Sequence, residues 1–372
     1  MRQKALKHAL LLASAGITGS AAYASLTGVS GRDQSREPDQ KSLNGHGTTR
    51  SFSRHVVATS SHHGKETCTS PSSTAKRTYE TEADHYFQRR GKIPLPKTMH
   101  ANLVDLMEET SDDDDAASDK ILVIGDVHGC YEELMLLHEK AKTEHNDNRP
   151  FRCVILVGDL CNKGPFSAKV IQHVRKTPRW FSIRGNHDDA ALAAALGDET
   201  RRQKKTYQWV MAATEAESLE VLSDEDVLWM SELPYTIHIP STVLSDAREE
   251  DVLIVHAGLI PKVPLEEQSI KTMVTLREVC QEASTGEYTD FDEKSQESER
   301  LDPEPWASAW KGPWQIIFGH DARRGLQQYA WATGLDTGAV YGKQLTGLVL
   351  PDKALVHVKS IKAHSPITYK QS

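Results

Sequence analysis

Five short apolar runs in this chain each end on a side chain able to bind a metal ion. "ILVIG" (121–125) is followed by Asp126 and His128. "CVILVG" (153–158) is followed by Asp159, and "WFSIRG" (180–185) by Asn186 and His187. "VLIVHAG" (252–258) carries His256, and "WQIIFGH" (314–320) ends on His320. One buried histidine or carboxylate is usually a hydrogen-bonded core residue. Five such endings are another matter, because burying that many ionisable groups without a partner costs several kcal/mol per charge.

The chemistry of the set suits divalent cations. Carboxylate, imidazole and amide oxygen are ligands for zinc, manganese or iron, and no CxxC thiolate pair is present. Two cations held ~3.5–4 Å apart need a bridging anion, and Asp159 is the expected bridge. The glycines at the run ends, among them Gly158 and Gly185, let the chain turn tightly beside such a centre.

These side chains meet only if the runs are strands whose carboxyl ends share one edge. The pattern between them agrees. Helical periodicity is expected over Tyr131–Lys142, 167–176, 188–196 and from Asp224 to Leu233. Residues 345–358 read as a hairpin turning at Pro351-Asp352-Lys353. Strands alternating with helices indicate an α/β fold, in which functional groups gather at the strands' carboxyl ends.

The flanks read differently. Residues 1–24 hold Arg2, Lys4 and Lys7, a weakly apolar run and Ala22-Tyr23-Ala24, and no acidic residue precedes Asp33. That outline fits a secretory signal and a mitochondrial presequence equally; with neither in force, the location is cytoplasmic. Residues 25–119 are polar, end in the acidic "SDDDDAASD" (111–119), and are expected to be disordered linker. The folded domain is expected over 120–369, with 281–305 as an acidic surface insertion. A net charge of −8 over 372 residues gives no general surface for nucleic acid. The five scattered cysteines are no disulfide framework. No run of ~20 apolar residues offers a membrane span. Composition leaves the oligomeric state open.

The motifs "GDVHG", "GDLCNKG", "GNHD", "HAG" and a late "GH" resemble the signatures of the calcineurin-like metallophosphoesterases, in their phosphoprotein-phosphatase branch. "FGHDARRGLQ" (318–327) and "GLDTGAVYGKQLTGLVL" (334–350) resemble the ApaH-like phosphatases, kin of the bacterial symmetrical diadenosine-tetraphosphate hydrolase. The resemblance covers about 120–360. It implies two mixed β-sheets packed as a sandwich flanked by helices. It also implies two divalent cations, of manganese, iron, zinc or cobalt, with manganese favoured. Asp126, His128 and Asp159 would hold the first; Asp159, Asn186, His256 and His320 the second. His187 would protonate the leaving oxygen, with Arg184, Lys163 and Arg277 near the phosphate. Lys163 replaces an arginine of the protein phosphatases, keeping the charge without the bidentate fork. Asn162 replaces the aspartate that orients their histidine.

The implied reaction is attack on phosphorus by a metal-activated hydroxide. Substrates that fit are a nucleoside polyphosphate or other phosphorylated small molecule, a capped RNA 5′ end, or polyphosphate. A Ser/Thr phosphoprotein phosphatase is the alternative, which Asn162 and Lys163 count against. An inactive scaffold is remoter still, since it has no use for the full ligand set. The acidic insertion would repel long polyanions if it lay over the cleft.

Overall fold

The computed structural model describes residues 93–109, 117–210, 221–244, 250–291 and 301–366. The expected targeting segment 1–24 lies outside them. One sheet has five strands in the order β14-β13-β2-β3-β4. These are β2 (Ile121–Ile124), β3 (Cys153–Leu156), β4 (Trp180–Ser182), β13 (Gln344–Leu350) and β14 (Ala354–Lys359). The second sheet has six, ordered β1-β5-β6-β10-β12-β11. They are β1 (His100–Asn102), β5 (Thr236–Ile239), β6 (Val252–Val255), β10 (Gln315–Phe318), β11 (Gln327–Gln328) and β12 (Ala332–Gly334).

Alternation along the strands explains the layers. Ile121, Val123, Ile155 and Val157 meet Ile237, Ile239, Ile254 and Ile317 in one buried cluster between the sheets. The intervening Leu122, Ile124, Val154 and Leu156 belong to a second cluster under the helices. Those helices include α1 (Leu103–Glu108), α2 (Tyr131–His145), α3 (Ser167–Lys176), α4 (Asn186–Ala195) and α5 (Asp224–Glu232). Because both faces of β2 and β3 are covered, the strands read as unbroken apolar runs. Among the described residues no helix is long and apolar enough to cross a membrane. Cys130, Cys153, Cys161 and Cys280 are buried free thiols.

The parallel pairings set the direction of the site. β2, β3 and β4 run parallel in one sheet. β6, β10 and β12 run parallel in the other. Their carboxyl ends therefore open toward one edge of the sandwich.

Two boundaries differ from the sequence expectation. The fold begins before Lys120: β1 pairs with β5 from His100 to Asn102, and Leu103 is fully buried beside it. The segment is too short for its periodicity to register among polar neighbours. Ile93, Met99 and Leu103 each gain roughly 1.5–3 kcal/mol from burial. The acidic insertion is also partly built. Strands β7 (Glu278–Gln281), β8 (Tyr288–Asp290) and β9 (Glu304–Pro305) form a small third sheet, ordered β8-β7-β9. Residues 292–300 lie outside the described ones.

Candidate metal centre and cleft

Tight turns bring the strand ends together. His128, Asp159, Asn162, Lys163 and His320 all have positive φ, between 46° and 75°. Each such conformation costs a non-glycine residue about 1–3 kcal/mol, so the surroundings must hold it. They do: His128 N–H donates to Asp159 O at 2.8 Å, and Gly319 N–H to His256 O at 2.8 Å. The loop after β3 is tied to the start of α4 through Asp188. Its carboxylate accepts the N–H of Leu160 (3.0 Å) and of Gly185 (2.9 Å). Two glycines are required by close approach. A Cβ on Gly185 would lie 2.3 Å from Asp159 Oδ1, and one on Gly319 2.0 Å from Asp126 Oδ1.

Asp126, His128, Asp159, Asn186, His187, His256 and His320 meet at this edge. Atoms of His128, Asp159 and His187 lie within 4.8 Å of one another, and so do atoms of Asp126, Asp159 and His256. Asp159 is common to both groups. Its Oδ2 lies 3.4 Å from His128 Nε2, and its Oδ1 lies 3.4 Å from His256 Nε2. Oδ1 also accepts the N–H of His187 at 2.9 Å. Each oxygen thus faces a different group, as a bridging carboxylate must.

The hydrogen bonds test whether cations suit the centre. His256 Nδ1 is 2.8 Å from Val157 O, and a carbonyl can only accept, so the ring proton sits on Nδ1. Its other nitrogen, Nε2, faces Asn186 Oδ1 (3.2 Å) and Asp159 Oδ1 (3.4 Å). His128 repeats the arrangement. Its Nδ1 donates to Cys161 O at 3.0 Å, and its Nε2 faces Asp159 Oδ2. Burial, with Lys163 nearby, pulls the His128 pKa down to about 3, so that ring is neutral. His320 places Nδ1 3.0 Å from Asn186 Oδ1, and its buried Nε2 has no partner. A converging set of imidazole nitrogens and carboxylate and amide oxygens, with no thiolate among them, fits a pair of divalent cations.

The carboxylates respond to the same crowding. Burial, then Asp336 and Asp159, push Asp126 well above the usual carboxylate range. Both Asp126 oxygens accept the N–H of His320, at 3.1 Å. Burial raises Asp336 to about 6. Burial opposes ionisation of Asp159 too, yet His256, His187, His128 and Lys163 around it hold it below that range. His187 is pushed well below the ordinary imidazole value, chiefly by burial. Its Nδ1 lies 2.7 Å from Asn162 Nδ2. Asn162 therefore orients His187 in the place of a carboxylate. As placed, its amide N–H donates to Nδ1, leaving the ring proton on Nε2.

The centre forms the floor of an open cleft of about 250 Å³. Lys163, Arg277, Arg323, Asp336 and Tyr341 are among its walls. Lys163 Nζ lies 2.9 Å from His128 Nε2 and 5.2 Å from the centre of the Tyr341 ring. Arg277 donates to His320 O at 3.3 Å. Arg184 is the exception among the expected phosphate contacts, and its assignment is corrected. It is fully buried, and its guanidinium donates to Ser231 O (2.5 Å) and Tyr235 OH (3.3 Å) and lies 3.5 Å from Asp189. Its backbone N–H bonds Pro234 O at 2.8 Å, which draws the residue into the interior and away from the cleft.

Asp336, Arg323 and Tyr341 were missed in the sequence. Asp336 had a usable signal, since it follows the carboxyl end of β12 as the other site residues follow theirs. β12 is three residues long and not distinctly apolar, so the strand itself was not recognised.

Comparison with known proteins places this architecture among relatives. Residues 119–343, more than half of the chain, match the family described as calcineurin-like phosphoesterase. The asymmetrical bis(5′-nucleosyl)-tetraphosphatase PrpE of Halalkalibacterium halodurans is 28% identical over 249 residues, covering 64% of this chain and 93% of that protein. The Bacillus subtilis protein of the same name is 25% identical over 261 residues, covering 67% and 96%. The crystal structure of a candidate diadenosine tetraphosphatase aligns with a TM-score of 0.50 and 27% identity, covering 71% of this chain and 98% of that one.

Proposed function

The chain belongs to the calcineurin-like phosphoesterases and is a phosphatase, and we propose that its substrates are nucleoside polyphosphates cleaved at a phosphoanhydride bond. Asp126, His128 and Asp159 would hold one divalent cation, and Asp159, Asn186, His256 and His320 a second, with manganese the favoured metal. Bound there, two such ions supply Lewis acidity and a hydroxide nucleophile at neutral pH. Lys163 and Arg277 offset charge on the phosphoryl oxygens. His187, with Nδ1 2.7 Å from Asn162 Nδ2, would offer its Nε2–H to the departing oxygen as a hydrogen bond, and a full proton only in its minor imidazolium form.

The observation that carries the substrate reading is the pairing of His187 with an amide. An amide fixes the ring but adds no negative charge to favour imidazolium, and burial disfavours that cation further. A protonated imidazole is then scarce at neutral pH. A serine alkoxide leaves poorly without a proton, whereas a phosphate leaves well. The site therefore suits anhydrides better than phosphoserine. The names of the relatives support the same reading. A capped RNA end and polyphosphate contain the same bond and are the nearest alternatives.

The test uses the full chain with Mn²⁺ and four substrates: diadenosine tetraphosphate, capped RNA, polyphosphate and a phosphoserine peptide. Diadenosine tetraphosphate should turn over fastest. His187→Ala should reduce phosphoserine hydrolysis by at most the ~10²–10⁴-fold of acid–base help, and anhydride hydrolysis by less. A phosphopeptide preferred over every anhydride would replace this reading with a phosphoprotein phosphatase.

A further inference from the structure

The cleft has a cation that its floor does not use. Three lining residues carry permanent positive charge among the described ones: Lys163, Arg277 and Arg323. Lys163, 2.9 Å from His128 Nε2 and 5.2 Å from the centre of the Tyr341 ring, sits at the floor, where it would meet the phosphoryl group under attack. Arg277 is committed to His320 O, with its Nε 3.5 Å from Asp321 Oδ1. The neighbouring Arg324 is neutralised by Asp321 and Glu278. Arg323 has no hydrogen bond, ion pair or ring contact with any described residue.

Its position is nevertheless well defined. Arg324 N–H donates to Asp321 O at 3.1 Å, closing a turn over Asp321–Arg324. That turn starts one residue after His320, whose own N–H is on Asp126. Arg323 is thus built onto the loop that reaches the floor, yet its side chain lines the wall and is exposed. An arginine with no partner among the described residues, beside a site for an anion, gains from a ligand that supplies paired oxygens. One phosphate at the floor would meet the ligand cluster, Lys163 and Arg277.

We propose that Arg323 binds the second phosphate of the substrate, and so selects compounds with at least two linked phosphates over monoesters. This rests on the phosphoanhydride reading and names the residue that enforces it. Arg323 is a specificity residue: it grips the part of the chain that leaves or trails, not the phosphorus under attack.

The experiment follows inhibition of p-nitrophenyl phosphate hydrolysis by the full chain, with free Mn²⁺ buffered. The probes are orthophosphate and the uncleavable methylenediphosphonate. In Arg323→Ala the inhibition constant for methylenediphosphonate should rise on the order of tenfold, the loss of one charge-assisted contact. That for orthophosphate should change by less than about twofold, and Arg323→Lys should recover part of the loss. Because Arg323 is exposed and has no partner among the described residues, an unchanged melting temperature is expected and checks that the variant is folded. Equal shifts for both probes, or none for either, would overturn the assignment. Failure of the underlying reading is separately visible, as a wild-type enzyme that leaves diadenosine tetraphosphate intact.

Discussion

At the scale of single residues, Asp159 is the hinge of the site. One oxygen faces His128 and the other His256, so its loss uncouples both groups of ligands. Asp159→Asn should abolish turnover and lower bound metal from about two ions per chain to about one or fewer, read by metal analysis of the purified protein. Full turnover by a folded variant would rule out the shared-carboxylate arrangement. Asp336 offers a pH-dependent test. Burial raises its pKa to about 6. A carboxyl raised in this way contributes stability below its unfolded value near 4, and that contribution is lost as pH rises through about 6. Metal-free Asp336→Asn should therefore be more stable than the metal-free wild type at about pH 8, by up to about 3 kcal/mol, with about half of that gap remaining near pH 5 and none below about pH 4. Melting temperatures across these pH values measure it. A gap independent of pH would mean that Asp336 does not titrate in this window.

At the scale of elements, β1 is the segment whose importance the sequence concealed. It adds an edge strand parallel to β5, and Met99 O accepts the N–H of Tyr235 at 2.9 Å. Tyr235 in turn holds Arg184 and Asp189 in the interior. Deleting residues 1–118 should thus cost several kcal/mol, at roughly 1.5–3 kcal/mol for each large apolar side chain exposed, and yield little soluble active enzyme. Deleting only residues 1–90 should leave melting temperature and turnover near those of the full chain. Equal stability of the two truncations would show that β1 contributes nothing to the fold.

At the scale of the whole molecule, the sandwich serves the site by aligning two sheets. Parallel strands β2, β3 and β4 face parallel strands β6, β10 and β12, and their six carboxyl ends supply the floor from both sides. Neither sheet alone holds the full candidate ligand set, so the apolar cluster between them is what keeps the two halves in register. The N-terminal region calls for a cellular measurement. Its basic, acid-free start is proposed to direct targeting. Removing residues 1–54 should move a tagged full-length protein out of the compartment it occupies, as seen by fluorescence. An unchanged location would remove the targeting role.

Much of the site was legible because its residues obey a local rule. An apolar run ending near Gly and Asp, His or Asn can be read without knowing where the chain goes, and five strands announced themselves this way. The rule ran out where the strand is not distinctly apolar: β12 reads Ala-Thr-Gly, and Asp336 behind it went unnoticed. Arg184 shows the opposite limit. It stands one residue before the glycine that adjoins Asn186, but the direction of its side chain was decided by Pro234, Ser231 and Tyr235, some 50 residues away in sequence. By itself the sequence determined the candidate donor residues, the strands that carry them and the reaction class. Tertiary structure decided which oxygen of Asp159 meets which histidine, which arginine is buried and which is left facing the cleft. Those outcomes depend on the close packing of two sheets, a long-range geometry that local spacing does not encode.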